Sequence, residues 1–239
     1  MNAFRLRLEI EFEKGAFFFE REYKTALSRY FEDIMKNRFF VFSDLIPLKK
    51  KTVTDGFWAL KRAALIFCTP FQELLPKIAL KIVKTPVDFY YGRLNFSRAI
   101  FLKLPIEKEG YLLSPVVLSG SENLLWEKEP WYFSENLRRI LIEKYRMIYG
   151  EDPSDDRFLF CFKGNPEKEE LQPGIVSYRG RFEIFGSNEL LKLSYLCGLG
   201  SLNEKGYGMA SPDLYLWKKK TERGGSGGQC NISDREIGQ

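Results

Sequence analysis

Residues 4–12 read Phe-Arg-Leu-Arg-Leu-Glu-Ile-Glu-Phe, an alternation that puts five apolar side chains on one face and four charges on the other. A period of two is that of a half-buried strand. After Gly15 the spacing changes, and Tyr23, Leu27, Tyr30, Phe31, Ile34 and Met35 share one side of a helix. Strand-like runs follow at 39–45 and 57–68, joined through a connection that carries Lys49, Lys50 and Lys51. Thr69, Pro70 and Gln72 have the order of a cap, a first-turn proline and a capping-box partner, so a helix is expected to about residue 83, perturbed at Pro76. A long strand pattern covers 89–104. Residues 3–104 therefore predict β-α-β-β-α-β.

The same order repeats from Tyr111, although the halves share no sequence identity. Its elements are a strand at 111–119, a helix at 134–149 capped by Ser134, strands at 157–163 and 175–185, a helix at 187–197 and a strand at 207–217. The fold class is α+β, two tandem ferredoxin-like (RRM-like) domains. The expected boundaries are 1–104, a linker at 105–110, 111–217 and a tail at 218–239. That tail contains Gly224-Gly225-Ser226-Gly227-Gly228 and reads as a flexible linker or a fusion junction.

Composition changes the picture mainly by what it lacks. The 239 residues contain no histidine, which removes histidine-ligated zinc and haem sites and Ser-His-Asp catalysis. Cys68, Cys161, Cys197 and Cys230 are far apart and show no Cys-x-x-Cys spacing, so buried thiols in a reducing cytoplasm are expected. Charge alternates from the first residues and no apolar run reaches 18, so neither a signal peptide nor a membrane span is expected. Net charge is +5, but segment 48–104 holds 11 basic and 3 acidic groups. Such a segment is either a solvated face or a polyanion contact.

The one dense motif is Gly198-Leu199-Gly200-Ser201-Leu202-Asn203-Glu204-Lys205-Gly206-Tyr207-Gly208. It follows a helix and precedes a strand, the reverse of a dinucleotide fingerprint, and no Gly-Lys-Ser/Thr is present for a Walker loop. It is either a tight connection or a loop whose glycines expose backbone N–H groups to a ligand.

This loop, with Gln172-Pro173-Gly174-Ile175 and the run from Gly180 to Tyr195 before it, resembles the C-terminal signature of the CRISPR-associated endoribonucleases that cut repeat RNA. Those proteins belong to the repeat-associated mysterious protein (RAMP) superfamily. Leu113-Ser114-Pro115-Val116-Val117, the run from Phe133 to Gly150 ending Lys-Tyr-x-x-x-Tyr-Gly, and Phe39-Phe40-Val41-Phe42-Ser43 are similar to further family segments. The resemblance spans about residues 4–217.

The resemblance implies two ferredoxin-like domains and metal-independent cleavage, in which the 2′-hydroxyl attacks the phosphate and leaves a 2′,3′-cyclic phosphate. It implies no cofactor and no metal. The expected partners are CRISPR repeat RNA and, as further candidates, a CRISPR effector complex or a second copy of the chain, with no membrane. Many members use a tyrosine on the first helix, a histidine after it and a lysine before the Phe-Thr-Phe-Ser strand. Tyr30 and Arg38 fall at the tyrosine and lysine positions, Lys36 is close by, and the histidine is absent. Histidine-free members include some that cleave through Tyr, Lys and Arg and others that only bind RNA.

Each residue keeps a second reading. Tyr30 is a catalytic group or a core side chain, and Arg38 a catalytic cation or a helix C-terminal cap. Lys49, Lys50 and Lys51, with Arg179 and Arg181, are RNA contacts or solvated charges. Gly198, Gly200, Ser201, Lys205, Gly206 and Gly208 are the expected RNA-binding residues of the loop, Lys205 foremost as a phosphate ligand. The function is then repeat-RNA processing, RNA binding without cleavage, or, third, a backbone subunit of an effector complex.

Overall fold

β1 (Ala3–Glu20) is the longest strand, and it does not stop at Gly15. Its register against β4 (Gly56–Cys68) shifts between Glu11 and Ala16, a bulge that absorbs the extra residues and returns Phe17 and Phe19 to the core side. The computed structural model describes residues 3–36, 39–118 and 125–212, with the backbone of 231–232.

α1 (Tyr23–Met35) and α2 (Leu75–Lys84) cover one face of the first sheet, whose order is β7 (Arg98–Leu104), β1, β4, β2 (Val41–Phe42). β3 (Ile46–Val53) also pairs with β4, and the hairpin of β5 (Val87–Phe89) and β6 (Gly92–Leu94) stands apart. In the second unit, α3 (Pro130–Tyr149) and α4 (Asn188–Cys197) accompany a sheet of four strands. Its members are β8 (Glu109–Leu112), β10 (Phe158–Phe162), β13 (Arg181–Gly186) and β14 (Ala210–Ser211), in the order β10-β13-β8-β14. β9 (Val116–Val117), β11 (Glu167–Gln172) and β12 (Ile175–Arg179) form a small third sheet. Numbered within each repeat, both main sheets run fourth-first-third-second, the ferredoxin-like order, and every pairing in them is antiparallel.

Two apolar cores result. Leu6, Leu8, Leu27, Phe31, Phe67 and Ile82 belong to the first, and Phe133, Leu137, Phe160, Phe182 and Leu190 to the second. The second core extends across the junction to Ala3, Val41, Ile66, Cys68 and Leu104, so the helix-free face of the first sheet is partly buried by the second unit. At roughly 1.5–3 kcal/mol for a buried large apolar side chain, Val41, Ile66 and Leu104 in particular fasten the units to each other. Among the described residues no helix is long and apolar enough to cross a membrane.

Several expectations are corrected. The lysine triplet lies inside β3, because the chain reverses at Thr54-Asp55 before Gly56, an Asp-Gly hairpin signal. α2 begins after a 3₁₀ turn (Gln72–Leu74), which puts Pro76 in its first turn, where a missing N–H costs nothing. Ser134 is no cap: α3 starts at Pro130, and the buried Ser134 hydroxyl accepts from Phe160 N at 2.8 Å. The run 89–104 is broken between β6 and β7, and Gly180 splits 175–185 into strands of two different sheets. β11 carries no alternation, being almost wholly exposed. Cys161 is exposed, while Cys68 and Cys197 are buried as expected. Cys230 and most of the tail lie outside the described residues, although Asn231–Ile232 forms a short strand, β15, against β7. Of the strand expected at 207–217, residues 213–217 also lie outside them.

Candidate nucleic-acid interface

Tyr30 sits on the core side of α1, 7% exposed, with its hydroxyl within 2.8 Å of Ile82 O and 3.0 Å of Thr85 O. It donates to a carbonyl at the end of α2, and burial holds its phenol well above the usual pKa. This geometry favours the core reading of Tyr30 over the catalytic one: a phenol turned inward and harder to ionise is a poor partner for a ribose hydroxyl. Lys36 is exposed and ends α1 in the left-handed conformation, φ 52°, its N–H donating to Glu32 O. Arg38 lies outside the described residues.

The glycine loop is built inward. Gly198, Gly200, Gly206 and Gly208 all have positive φ, between 69° and 81°, which favours glycine. A Cβ at Gly208 would lie 1.9 Å from Leu199 O, at Gly200 2.3 Å from Val117 O, and at Gly206 2.4 Å from the Phe42 ring. The space those glycines leave is filled by protein, which favours the reading of the loop as a tightly packed connection over one in which the glycines clear room for a ligand. Ser201 N donates to Val117 O. Lys205 forms an ion pair of 2.8 Å with Glu32 of α1, whose carboxyl it holds below the usual range.

Beneath the loop lies a group that the sequence reading missed. Lys144, buried on α3, donates to Gly198 O at 3.0 Å, Gly200 O at 2.7 Å and Asn203 Oδ1. Asn203 Nδ2 in turn donates to Leu199 O and Tyr207 O. Burial pushes the Lys144 ammonium down to about 8. The available signal was its position: Lys144 continues the apolar stripe of Leu137 and Leu141 at helical spacing.

Beside the loop, a cleft of about 990 Å³ opens between the units. The start of α1 and the β3–β4 hairpin form one wall, and β8, β11 and the β12–β13 corner the other. Its cations are Arg21, Lys24, Lys50, Arg179 and Arg181, its acids Asp44, Glu167 and Glu169, and its tyrosines Tyr23, Tyr111 and Tyr207. Asp44 is the hub. It pairs with Lys24 at 2.5 Å from one unit and with Arg179 from the other. Burial alone would raise its pKa, but those two cations outweigh it and hold the carboxyl below the usual range. Lys24 also donates to Gly206 O at 2.9 Å and lies 4.3 Å from the Tyr207 ring centre, which ties the glycine loop to the cleft floor.

Arg181 is more open, with Glu109 at 3.5 Å and the Tyr111 ring at 5.5 Å. Of the triplet only Lys50 lines the cleft, 4.6 Å from the Phe57 ring centre. The structure thus gathers Lys50, Arg179 and Arg181, places the glycine loop at their side, and leaves Tyr30 elsewhere. Arg21, Lys24, Asp44, Tyr111 and Tyr207 were not foreseen; they converge only through the packing of the two units.

The chain's relatives agree with this architecture. The family description "CRISPR associated protein Cas6, C-terminal" matches residues 103–212. The CRISPR-associated endoribonuclease Cas6 of Pyrococcus furiosus is 25% identical over 209 residues, covering 82% of this chain and 78% of that protein. Two solved structures share the fold. One, described as CRISPR associated protein Cas6, has a TM-score of 0.72 at 21% identity over 88% of this chain and 99% of its own. The other, described as a RAMP protein binding different RNA substrates, has a TM-score of 0.70 at 19% identity over 87% and 99%. The endoribonuclease-like protein Cas6nc of Pyrococcus horikoshii is 30% identical over 189 residues, 72% of this chain and 78% of that relative. On that similarity, the chain belongs to the Cas6 family of CRISPR-associated endoribonucleases.

Proposed function

We propose that this protein binds CRISPR repeat RNA along the cleft between its two units. The observation that carries the reading is the convergence of five cations and three tyrosines from both units on one open groove. Phosphates are attracted by the cations, and the half-buried Tyr111 and Tyr207, unlike the core-packed Tyr23, turn rings toward unpaired bases. Two of the cations are committed to Asp44, so Arg21, Lys50 and Arg181 are the groups that meet the RNA backbone.

A second reading, slow metal-independent cleavage, is favoured by the family's activity and by the basic residues Lys36 and Arg38 that follow α1 in the sequence. In that reaction the 2′-oxygen bonds to phosphorus, the bond to the 5′-oxygen breaks, and one proton leaves the 2′-hydroxyl while another reaches the 5′-oxygen. Arg38 would stabilise the charge on the phosphorane, a larger contribution than any from Tyr30.

The test is the affinity for a repeat RNA as a function of salt, with EDTA present throughout. Binding should weaken as salt rises. The variant combining Arg21→Glu, Lys50→Glu and Arg181→Glu should lose affinity and flatten the log–log slope by about three if each residue releases one counterion. An unchanged slope would remove the cleft from the interface. The same incubations report cleavage: a cyclic-phosphate product in EDTA supports the second reading, and intact RNA at saturating protein leaves binding alone.

A further inference from the structure

The lysine triplet divides by strand geometry. Successive side chains of β3 alternate, so Lys50 turns to the cleft while Lys49 and Lys51 face the other side of the hairpin. On that side, register places Lys51 opposite Trp58 and Trp58 opposite Phe18, across three neighbouring strands. Residues directly opposite on adjacent strands share a face. Tyr91, from the β5–β6 turn, closes the row.

The aromatic rings are in contact. Phe18 lies 5.4 Å from Trp58 and 5.0 Å from Tyr91, centre to centre, and Tyr90 is 4.8 Å from Tyr91. They are also open: Trp58 is 42% exposed, Tyr91 59% and Tyr90 81%. A shallow pocket lined by Ala16, Phe17, Phe18, Trp58 and Tyr91 lies among them. Exposed Lys49, Lys51 and Arg62 share the face, with Glu20 and Glu11 as its acids. The second unit covers only the other end of this sheet face, at Ala3, Ile66 and Cys68, so nothing among the described residues packs over the aromatic end.

Clustered rings beside lysines fit one occupant best. We infer that Phe18, Trp58 and Tyr91 are a stacking platform for unpaired bases of single-stranded RNA, whose backbone Lys49 and Lys51 hold. A purely apolar docking face for a protein would not need cations in register with its rings, whereas base stacking beside phosphate contacts does. The platform lies on the back of the hairpin that walls the cleft, so a strand leaving the cleft reaches it by crossing the edge strand β3. The inference rests on the RNA-binding reading and extends the contact beyond the cleft.

The experiment uses the whole chain and a labelled oligouridylate, which has no secondary structure. Trp58→Ala with Tyr91→Ala should weaken its binding about tenfold, as loss of one or two stacked bases does, and leave the salt slope unaltered. The melting temperature should stay close to that of the parent because both side chains are exposed. Trp58→Phe should recover most of the affinity, and Lys49→Ala with Lys51→Ala should flatten the slope by up to about two. If the parent binds the oligouridylate and the Trp58→Ala, Tyr91→Ala variant binds it equally well, the platform is overturned. A change in that variant's oligomeric state with unchanged RNA affinity would assign the patch to protein contact and overturn it likewise. If the parent binds neither the oligouridylate nor repeat RNA at low salt, the RNA-binding reading itself fails.

Discussion

The clearest consequence of the glycine loop's inward packing is the effect of adding one methyl group at Gly208. Its φ is +74°, and a Cβ would stand 1.9 Å from Leu199 O and 2.8 Å from Asn203 Nδ2. A left-handed non-glycine residue costs about 1–3 kcal/mol. Relieving the overlap means moving the two sides of the loop apart, which weakens the bonds from Leu199 N to Gly208 O and from Gly208 N to Pro115 O, about 1 kcal/mol each. Gly208→Ala should therefore cost about 3–5 kcal/mol, a fall in melting temperature of roughly 6–20 °C for a chain of this size. Gly174 supplies the control, since its φ is +80° with nothing within 4 Å of an added Cβ. Gly174→Ala bears only the strain, about 1–3 kcal/mol. Thermal melts of both variants, with repeat-RNA affinity measured on the folded protein, separate the two effects. Equal melting temperatures would refute the packing argument. RNA affinity lost at an unchanged melting temperature would make the loop a ligand surface after all.

Tyr30→Phe should destabilise the fold by about 1–2 kcal/mol in denaturant titration, through the lost bond to Ile82 or Thr85, and leave any cleavage rate in EDTA intact; a rate loss exceeding the stability loss would restore Tyr30 to the reaction. Asp44 has its folded pKa below its ordinary value, so it adds stability above about pH 4 that is lost as pH falls through the folded value. Asp44→Asn should lack that portion of the acid-unfolding profile and melt lower at pH 7, and an unaltered profile would deny the carboxylate its two partners. In a Cys230→Ser background, native protein should expose one reactive thiol to an aromatic disulfide, that of Cys161; Cys68, buried and pushed up to about 11, and Cys197 should react only on unfolding.

Periodicity carried the fold where side chains alternate between core and solvent. Residues 4–12, the stripe from Tyr23 to Met35 and the helix at 187–197 were legible for that reason; the Ser187 hydroxyl, which accepts from Leu190 N, caps that helix in the structure. Periodicity failed where an element buries no face, as in β11, or where a bulge resets the phase, as in β1. Tyr30 was ambiguous for a related reason: a stripe position says that a side chain points inward but not where its hydroxyl finds an acceptor. Asp44 was invisible because its partners lie 20 residues before it and 135 after, on elements joined only by the junction of the two units. Lys144 was visible as an anomaly, a charge on an apolar stripe, whose explanation required the carbonyls of a loop more than 50 residues away.

The cleft's charges divide by what they already hold. Lys24 and Arg179 are half-buried and both bound to Asp44, so a phosphate could capture them only by leaving that carboxylate without partners. Breaking a buried pair from one side costs about 3–5 kcal/mol, more than an exposed phosphate contact returns. These two cations therefore stay with Asp44 when RNA arrives, and their work is to hold α1, the glycine loop and β12 at a fixed separation. The attraction for RNA falls to Arg21, Lys50 and Arg181 at the rim, where a phosphate displaces only water, counterions and the exposed Glu109 that lies 3.5 Å from Arg181. Substitutions at the floor should then move the melting temperature and affinity together, whereas substitutions at the rim should move affinity and salt dependence alone.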